Sequence, residues 1–385
     1  MNVILTDTKN QIYKNEFNFV SKKNKNCSVK KYVLNGGQAN GMDVIEVNNG
    51  NLSFVILPTR GMGIWRAKYN AIDLKWDSPV CGPVHPCFVN LDTENGLGWL
   101  AGFDELIVRC GLQNNGAPGE DVVRHNDGKT HQKLLPLHGR IANIPAHFVS
   151  IEIDESDETK ITVTGEVDEA MLFMPHFRLK TTIETTAGSN SLKITDEVIN
   201  CGTAEEEMEL LYHCNFGPPI LEKGAKVVAP IIEVAPRDKI AEPGAEEFYL
   251  CEGAENGFEE KVYFYNLAAR ENGETITMLK NKNSDKAVAL RFNKNEMPCF
   301  TLWKNTAAVE DGYVVGLEPG TDYPNNRAVE RAAGRLVKIP GKSSYKITLE
   351  MQAFDDAALI AEVEKEISEI QEDVTPEIRL KTMSE

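Results

Sequence analysis

The chain has 385 residues, with 41 Lys and Arg against 58 Asp and Glu, a formal net charge of −17. That field disfavours a nucleic-acid phosphate backbone, which is held by clustered Lys and Arg, and it disfavours anionic lipid. A small neutral ligand meets no such penalty. With 42% hydrophobic and 26% charged residues, the composition is that of a globular protein long enough to bury a large core without disulfides or metals. Length alone favours two or three domains at about 150 residues each, but large all-β sandwiches form single units of this size.

The eight cysteines, at 27, 81, 87, 110, 201, 214, 251 and 299, form no C-x-x-C pair and no disulfide-module spacing. That is the pattern of buried free thiols in a reducing cytosol. The first residues show no basic stretch followed by an apolar one, and no run approaches the roughly 18 apolar residues of a membrane span. A cytoplasmic location is expected.

In chain order, residues 80–145 are rich in Gly, Pro, Asn and aromatics. They read either as a long functional loop or as short strands that pattern alone does not expose. Val149–Ile153 and Lys160–Val167 then alternate apolar and polar around a polar break, predicting a hairpin with one wet face. Phe177–Thr186, a turn at Ala187–Asn190, and Ser191–Ile199 repeat the signature, and Ser344–Phe354 carries it again. Strands follow strands without helices between them, which excludes a parallel βαβ architecture and predicts an all-β, large antiparallel sandwich. One helix is predicted, from Asp355 to Ile370. Its two leading carboxylates suit the positive end of the helix dipole, and Leu359, Val363, Ile367 and Ile370 share a face. The expected units are a sandwich over 1–355 and a helix with tail over 356–385.

The seven histidines lie at 85, 125, 131, 138, 147, 176 and 213. No H-E-x-x-H, G-x-S-x-G, G-x-G-x-x-G or Walker A pattern is present, so zincin, hydrolase-elbow, dinucleotide and P-loop chemistry have no support. Three polar segments in apolar surroundings remain. In Leu135-Pro-Leu-His138-Gly-Arg140, the imidazole and guanidinium share a face if the segment is a strand. In Leu210-Leu-Tyr-His213-Cys-Asn215-Phe-Gly, His213 and Asn215 share a face of an apolar strand. In Val314-Val-Gly-Leu-Glu318-Pro-Gly, a carboxylate ends a hydrophobic run. Arg60 and Arg109 each place a cation beside glycine at a strand end. A lone imidazole in an apolar strand is more often a satisfied structural group than a catalyst, and Glu318 has a bland reading as a turn cap. His85, His125, His131 and His147 read as structural or solvent-facing, and His176 as a ligand contact. Trp303 and Lys304, on a strand pattern, are placed at a cleft, with a core tryptophan as the plainer alternative.

Taken together and in order, Leu57-Pro-Thr-Arg-Gly-Met-Gly-Ile, Gly102-Phe-Asp-Glu-Leu-Ile-Val-Arg-Cys-Gly-Leu, Leu137-His-Gly-Arg, Leu211-Tyr-His-Cys-Asn-Phe-Gly and Leu317-Glu-Pro-Gly-Thr resemble the aldose 1-epimerase (galactose mutarotase-like) superfamily. The resemblance is greatest to its DUF4432 branch and runs from about residue 30 to about 355. It implies a β-supersandwich with a sugar-sized cleft, and mutarotation without a cofactor. Residue by residue, it implies that His138 binds a sugar hydroxyl, that His213 is the general acid at the ring oxygen, and that Glu318 is the general base at the anomeric hydroxyl. The superfamily's substrate-binding aspartate has no matching position, and Pro319-Gly-Thr-Asp-Tyr-Pro departs from the mutarotase pattern after the glutamate.

The residue types suit that chemistry. Opening a hemiacetal removes a proton from the anomeric hydroxyl and delivers one to the ring oxygen, and each assistance is typically worth about 10²–10⁴-fold. Imidazole titrates near 6.5, and a glutamate among apolar neighbours is raised toward it. Arg60, Arg109, Arg140 and Asn215 are the expected holders of sugar hydroxyls, with Trp303 or Phe216 stacking on the sugar's apolar face. The expected partner is a small carbohydrate, with a homodimer as a possible assembly. Alternatives are a lyase, hydrolase or other epimerase acting on an acidic or oxidised sugar, with the arginines neutralising its charge, or a non-catalytic sugar binder. His138, His213 and Glu318 are also a ligand set that suits a divalent metal; the reading without metal is preferred because mutarotation needs no Lewis acid.

Overall fold

The computed structural model describes residues 1–124, 128–156 and 159–382, so His125 lies outside the described residues. Among these, two large sheets of ten and fourteen strands pack face to face around one apolar core. The alternating segments become strands of the ten-stranded sheet. Phe148–Asp154 pairs antiparallel with Lys160–Ala170, Ile151 opposite Val163. Lys160–Ala170 pairs in turn with His176–Thr186, and that strand with Ser191–Asn200. Ser344–Phe354 lies beside Ser191–Asn200. One residue in two is buried along these strands, as expected where one face meets the core and the other meets water.

The fourteen-stranded sheet is different. Its central members run Lys261–Leu267, Cys299–Asn305, Val314–Gly320, Glu206–Phe216 and Ile107–Leu112, in that spatial order. Val314–Gly320 and Ile107–Leu112 are buried at every residue. The inner face meets the other sheet, and the outer face is roofed by the Gly- and Pro-rich stretch before and after Ile107–Leu112. That stretch does contain short strands, joined by loop and turn segments. It holds a central strand, a hairpin (Gly119–Arg124 with Thr130–Leu135) and several short 3-10 turns. Trp76, Trp99, Phe103 and Ala142 from the roof pack on Val108, Cys110, Leu211 and Val314 of the sheet.

The C-terminal helix spans Ala357–Gln371, with the Asp356 carboxylate accepting hydrogen bonds from the amides of Ala358 and Leu359. Its buried face is Ile360, Val363 and Ile367, packed on Ile276, Met278, Ala287 and Ala289 of the ten-stranded sheet. Leu359, expected on that face, is exposed instead. Ile360, about 100° further round the helix than Leu359, lies on the Ile367 side of Val363 and takes the place. No helix among the described residues is long and apolar enough to cross a membrane. The cysteines are all free, but only Cys27, Cys110, Cys214, Cys251 and Cys299 are buried. Cys81 and Cys87 are exposed and Cys201 is half-buried.

Candidate active site

The outer face of the fourteen-stranded sheet is set by strand alternation. On Glu206–Phe216, Tyr212, Cys214 and Phe216 enter the inter-sheet core, so Leu211, His213 and Asn215 point outward. On Val314–Gly320, Val315 and Leu317 point inward, leaving Gly316 and Glu318 outward. The register between them pairs Cys214 with Leu317, which sets His213 directly across from Glu318. The neighbouring strand brings Thr301 opposite Glu318 and Trp303 opposite Gly316. Five outward positions on three adjacent strands, His213, Gly316, Glu318, Thr301 and Trp303, thus share one spot.

His213 Nε2 lies 3.1 Å from Glu318 Oε1, and both side chains are at least 95% buried. On its other side the imidazole meets Asn215, with Nδ1 2.6 Å from Oδ1. Because Asn215 Nδ2 donates to the carbonyls of Glu105 and His213, its Oδ1 is the acceptor and His213 Nδ1 carries the proton. A neutral His213 therefore presents a bare Nε2 to Glu318. Burial pushes the His213 pKa well below its usual value, helped by His138 close by. Burial pushes Glu318 well above the ordinary carboxylate range, helped by the Glu260 charge. The pair is thus an imidazole beside a carboxyl, and burial disfavours the charged form of each.

His138 reaches the same spot from the roof. Its ring stands 5.4 Å from that of His213 and edge-on to Trp99 at 4.6 Å. The Asn115 carbonyl, 2.7 Å from Nδ1, can only accept, so His138 also carries its proton on Nδ1 and keeps Nε2 as an acceptor. Burial lowers its pKa to about 4, so it is uncharged near neutrality. The segment is not a strand. His138 and Gly139 both have positive φ (56° and 69°), and a Cβ on Gly139 would fall 2.2 Å from the Asn114 carbonyl oxygen. The Leu-His-Gly motif is a tight turn that needs its glycine.

Aromatic rings enclose the cluster. Phe103 and Trp303 stand 5.0 and 5.1 Å from the His213 ring, and Trp303 is held by a hydrogen bond from Nε1 to Glu260. Trp99 is fully buried, whereas His138 and Trp303 are half-buried and Glu260 is exposed, which marks the open side. Gly316 leaves room at the floor. A Cβ there would lie 2.6 Å from Glu318 Oε1 and 3.2 Å from His213 Cε1. Three buried polar atoms around this space, Trp99 Nε1, Thr301 Oγ1 and Glu318 Oε1, have no hydrogen-bond partner. The Oε1 contact with His213 is close but lies off a hydrogen-bonding direction. Orphaned donors and acceptors beside aromatic faces are what a polyhydroxylated ring would satisfy.

Of the residues expected at the site, the structure brings together His138, His213, Asn215, Glu318 and Trp303. The others are elsewhere. Arg109 points into the inter-sheet core, paired with Asp196 on the ten-stranded sheet and bonded to Thr181. Lys304 alternates with Trp303 and so faces inward, where it meets the Leu250 carbonyl and Glu252. Arg60 lies one layer behind, ion-paired with Glu105, whose carbonyl receives Asn215 and Trp76; it buttresses His213 rather than facing the cavity. Arg140 follows the turn rather than sharing a strand face with His138, and it lines a separate cleft with Lys133, Asn90 and Asn143. His176 is on the ten-stranded sheet near Asp168. Sequence reasoning missed Trp99, Phe103, Thr301, Gly316, Glu260 and Asn115. Only the aromatic density of residues 80–145 signalled the first two. Among the described residues no group of three or more His, Cys, Asp or Glu is arranged to hold a metal ion.

Residues 39–353 match the family described as "Domain of unknown function (DUF4432)". Among solved structures, a Klebsiella pneumoniae protein provisionally named an aldose 1-epimerase is 32% identical, with a TM-score of 0.94 over 100% of this chain and 99% of that one. A galactose mutarotase-like protein from Clostridium acetobutylicum is 16% identical, with a TM-score of 0.60 over 86% of this chain and 100% of that one. Galactose 1-epimerase from Lactobacillus acidophilus is 12% identical, with a TM-score of 0.53 over 85% of this chain and 99% of that one. The last two likenesses are of fold. No curated protein matches the chain.

Proposed function

The chain belongs to the DUF4432 family and has the galactose mutarotase-like fold, and from that premise we propose that it is a carbohydrate-active isomerase that interconverts the anomers of a neutral aldose. The observation that carries the proposal is the buried His213–Glu318 pair, 3.1 Å apart, facing unsatisfied polar atoms and aromatic rings. Ring opening moves two protons on two oxygens bound to one carbon, so the donor and the acceptor must be close neighbours. This pair holds one proton in either of two arrangements, and each supplies one acid and one base. Transfer from the Glu318 carboxyl to His213 Nε2 gives the imidazolium and carboxylate. His213 then protonates the ring oxygen while Glu318 accepts the anomeric proton. Bond rotation and the reverse transfers close the ring as the other anomer. His138 Nε2 accepts from a sugar hydroxyl, Asn215 keeps His213 in the required tautomer, and Trp303 offers the half-exposed aromatic face.

A neutral sugar is favoured over a uronate because the expected cations do not face the cavity, Arg140 lining a separate cleft. Arg60 and Arg109 are buried in ion pairs, Lys304 faces the other way, and Arg237 at the rim is paired with Asp238 and Glu260. The test is anomer exchange across a panel of aldoses, followed by NMR magnetisation transfer or optical rotation. At least one sugar is expected to exchange faster with the wild-type protein, and Glu318→Gln is expected to lose about 10²–10⁴-fold of that rate. Folded protein that accelerates none of them contradicts the proposal.

A further inference from the structure

A second acidic pair lies buried behind the first. Glu209 stands four residues before His213 on the same strand, and Asp322 four residues after Glu318. Both are at most 1% exposed. Their carboxyl groups are within hydrogen-bonding reach of each other. Neither Glu209 oxygen nor Asp322 Oδ2 has a donor at full hydrogen-bonding geometry, although the Asn115 amide approaches Glu209. The surroundings supply little charge to relieve them. Arg327 Nε is 3.8 Å from Glu209 Oε2, but its fork is engaged by Asp121 and Glu207, and Arg331 shares Asp121 and Glu207. Glu330, on the short helix Arg327–Ala332, is taken by Arg335 and Asn325. The Cys299 thiol nearby is neutral, its pKa pushed up to about 12 by burial. Two ionised carboxylates here would leave uncompensated buried charge, so one proton must remain.

The pair is connected to the site. Asp322 Oδ1 accepts from Thr321 Oγ1 at 3.0 Å and from Asn115 Nδ2 at 2.7 Å. The Asn115 carbonyl in turn takes the His138 Nδ1 proton, and the His138 amide bonds the Gly116 carbonyl at 3.0 Å. We propose that Glu209 and Asp322 share a single proton, and that this paired unit, acting through Asn115, is the positioning device that holds His138 with Nε2 free for a sugar hydroxyl. Asp322 and Glu209 are positioning residues and touch no substrate. Burial first, and then the neighbouring carboxylate, push Asp322 well above its usual range, and burial raises Glu209 to about 7.

The role given to His138 rests on the proposed function, so the test reads the imidazole directly. In ¹⁵N-histidine-labelled protein, His138 is expected to carry its proton on Nδ1 from about pH 5 to 8. Asp322→Asn, whose amide N–H replaces the shared proton, is expected to keep that tautomer and a KM within about threefold of wild type. Asp322→Ala is expected to mix the tautomers and raise KM about tenfold or more, with a smaller change in kcat. In wild-type protein with ¹³C-labelled carboxyls, a protonated carboxyl separate from that of Glu318 is expected at pH 7.5; it disappears in Asp322→Asn and persists in Glu318→Gln. This readout needs no activity and survives if the alanine variant does not fold. Both groups ionised at that pH, a bound stoichiometric metal, Asp322→Asn as damaging as Asp322→Ala, or an unchanged His138 tautomer in Asp322→Ala would each overturn the inference. Absence of turnover on every sugar, with the tautomer behaving as described, would instead strike the proposed reaction alone.

Discussion

At the scale of single residues, the site depends on what is missing as much as on what is present. Gly316 faces Glu318, His213 and Trp303 and contributes nothing but space. Gly316→Ala places a methyl 2.6 Å from Glu318 Oε1, so the carboxyl has to move. The expected outcome is a turnover reduced at least about tenfold with little change in the thermal midpoint, because alanine suits a strand as well as glycine does. Unaltered kinetics would show that the floor is not where the substrate lies. The histidines make a second statement, about acid. His138 stays neutral in the fold down to about pH 4, whereas an unfolded histidine takes up a proton near 6.5. Below 6.5 the unfolded state therefore binds more protons, and stability falls with pH until about 4. Urea unfolding of wild type and His138→Asn at pH 7, 6 and 5 is expected to show a shallower acid loss in the variant. Identical slopes would mean that His138 is protonated in the folded protein.

Elements decide which way a residue faces, and here much of the site was legible. Alternation within Leu210–Asn215 puts His213 and Asn215 on one face, and the same rule, applied to Trp303 and Lys304, separates the ring that lines the cavity from the cation that does not. Arg109 follows the rule as well, since Val108 and Cys110 face the roof. What alternation does not say is which face is the core, because Ile107–Leu112 and Val314–Gly320 are buried on both sides. The condition under which His138 and Arg140 would share a face, a strand at that segment, is not met, because His138 and Gly139 form a turn and local pattern carries no register for a segment that pairs with nothing long. Register across strands, which sets His213 against Glu318, is a long-range property absent from local pattern. The inward arginine makes a stability prediction. Arg109→Leu leaves the Asp196 carboxyl buried between the sheets without its cation, with Tyr212 as its remaining side-chain donor among the described residues, and is expected to cost about 3–5 kcal/mol in chemical denaturation. A loss under about 1 kcal/mol would mean that the pair is solvated. Asp356→Ala, at the helix cap, is expected to cost only about 1 kcal/mol and to leave any anomer exchange intact.

For the molecule as a whole, the net charge of −17 and the commitment of its buried cations point the same way, toward an uncharged ligand. KM for a neutral aldose is expected to change less than about twofold between low and high salt, since screening acts on charged partners. A steep salt dependence would indicate an ionic substrate. The sandwich itself fits more than one chemistry, so the reaction has to be read from the cavity. The decisive measurement is a crystal structure of the Glu318→Gln variant with a bound aldose. The sugar is expected between Trp303 and the His138–His213 pair, with its anomeric and ring oxygens within about 3.2 Å of residue 318 and His213 Nε2. A sugar bound elsewhere, or held with C1 turned away from both groups, would contradict the account.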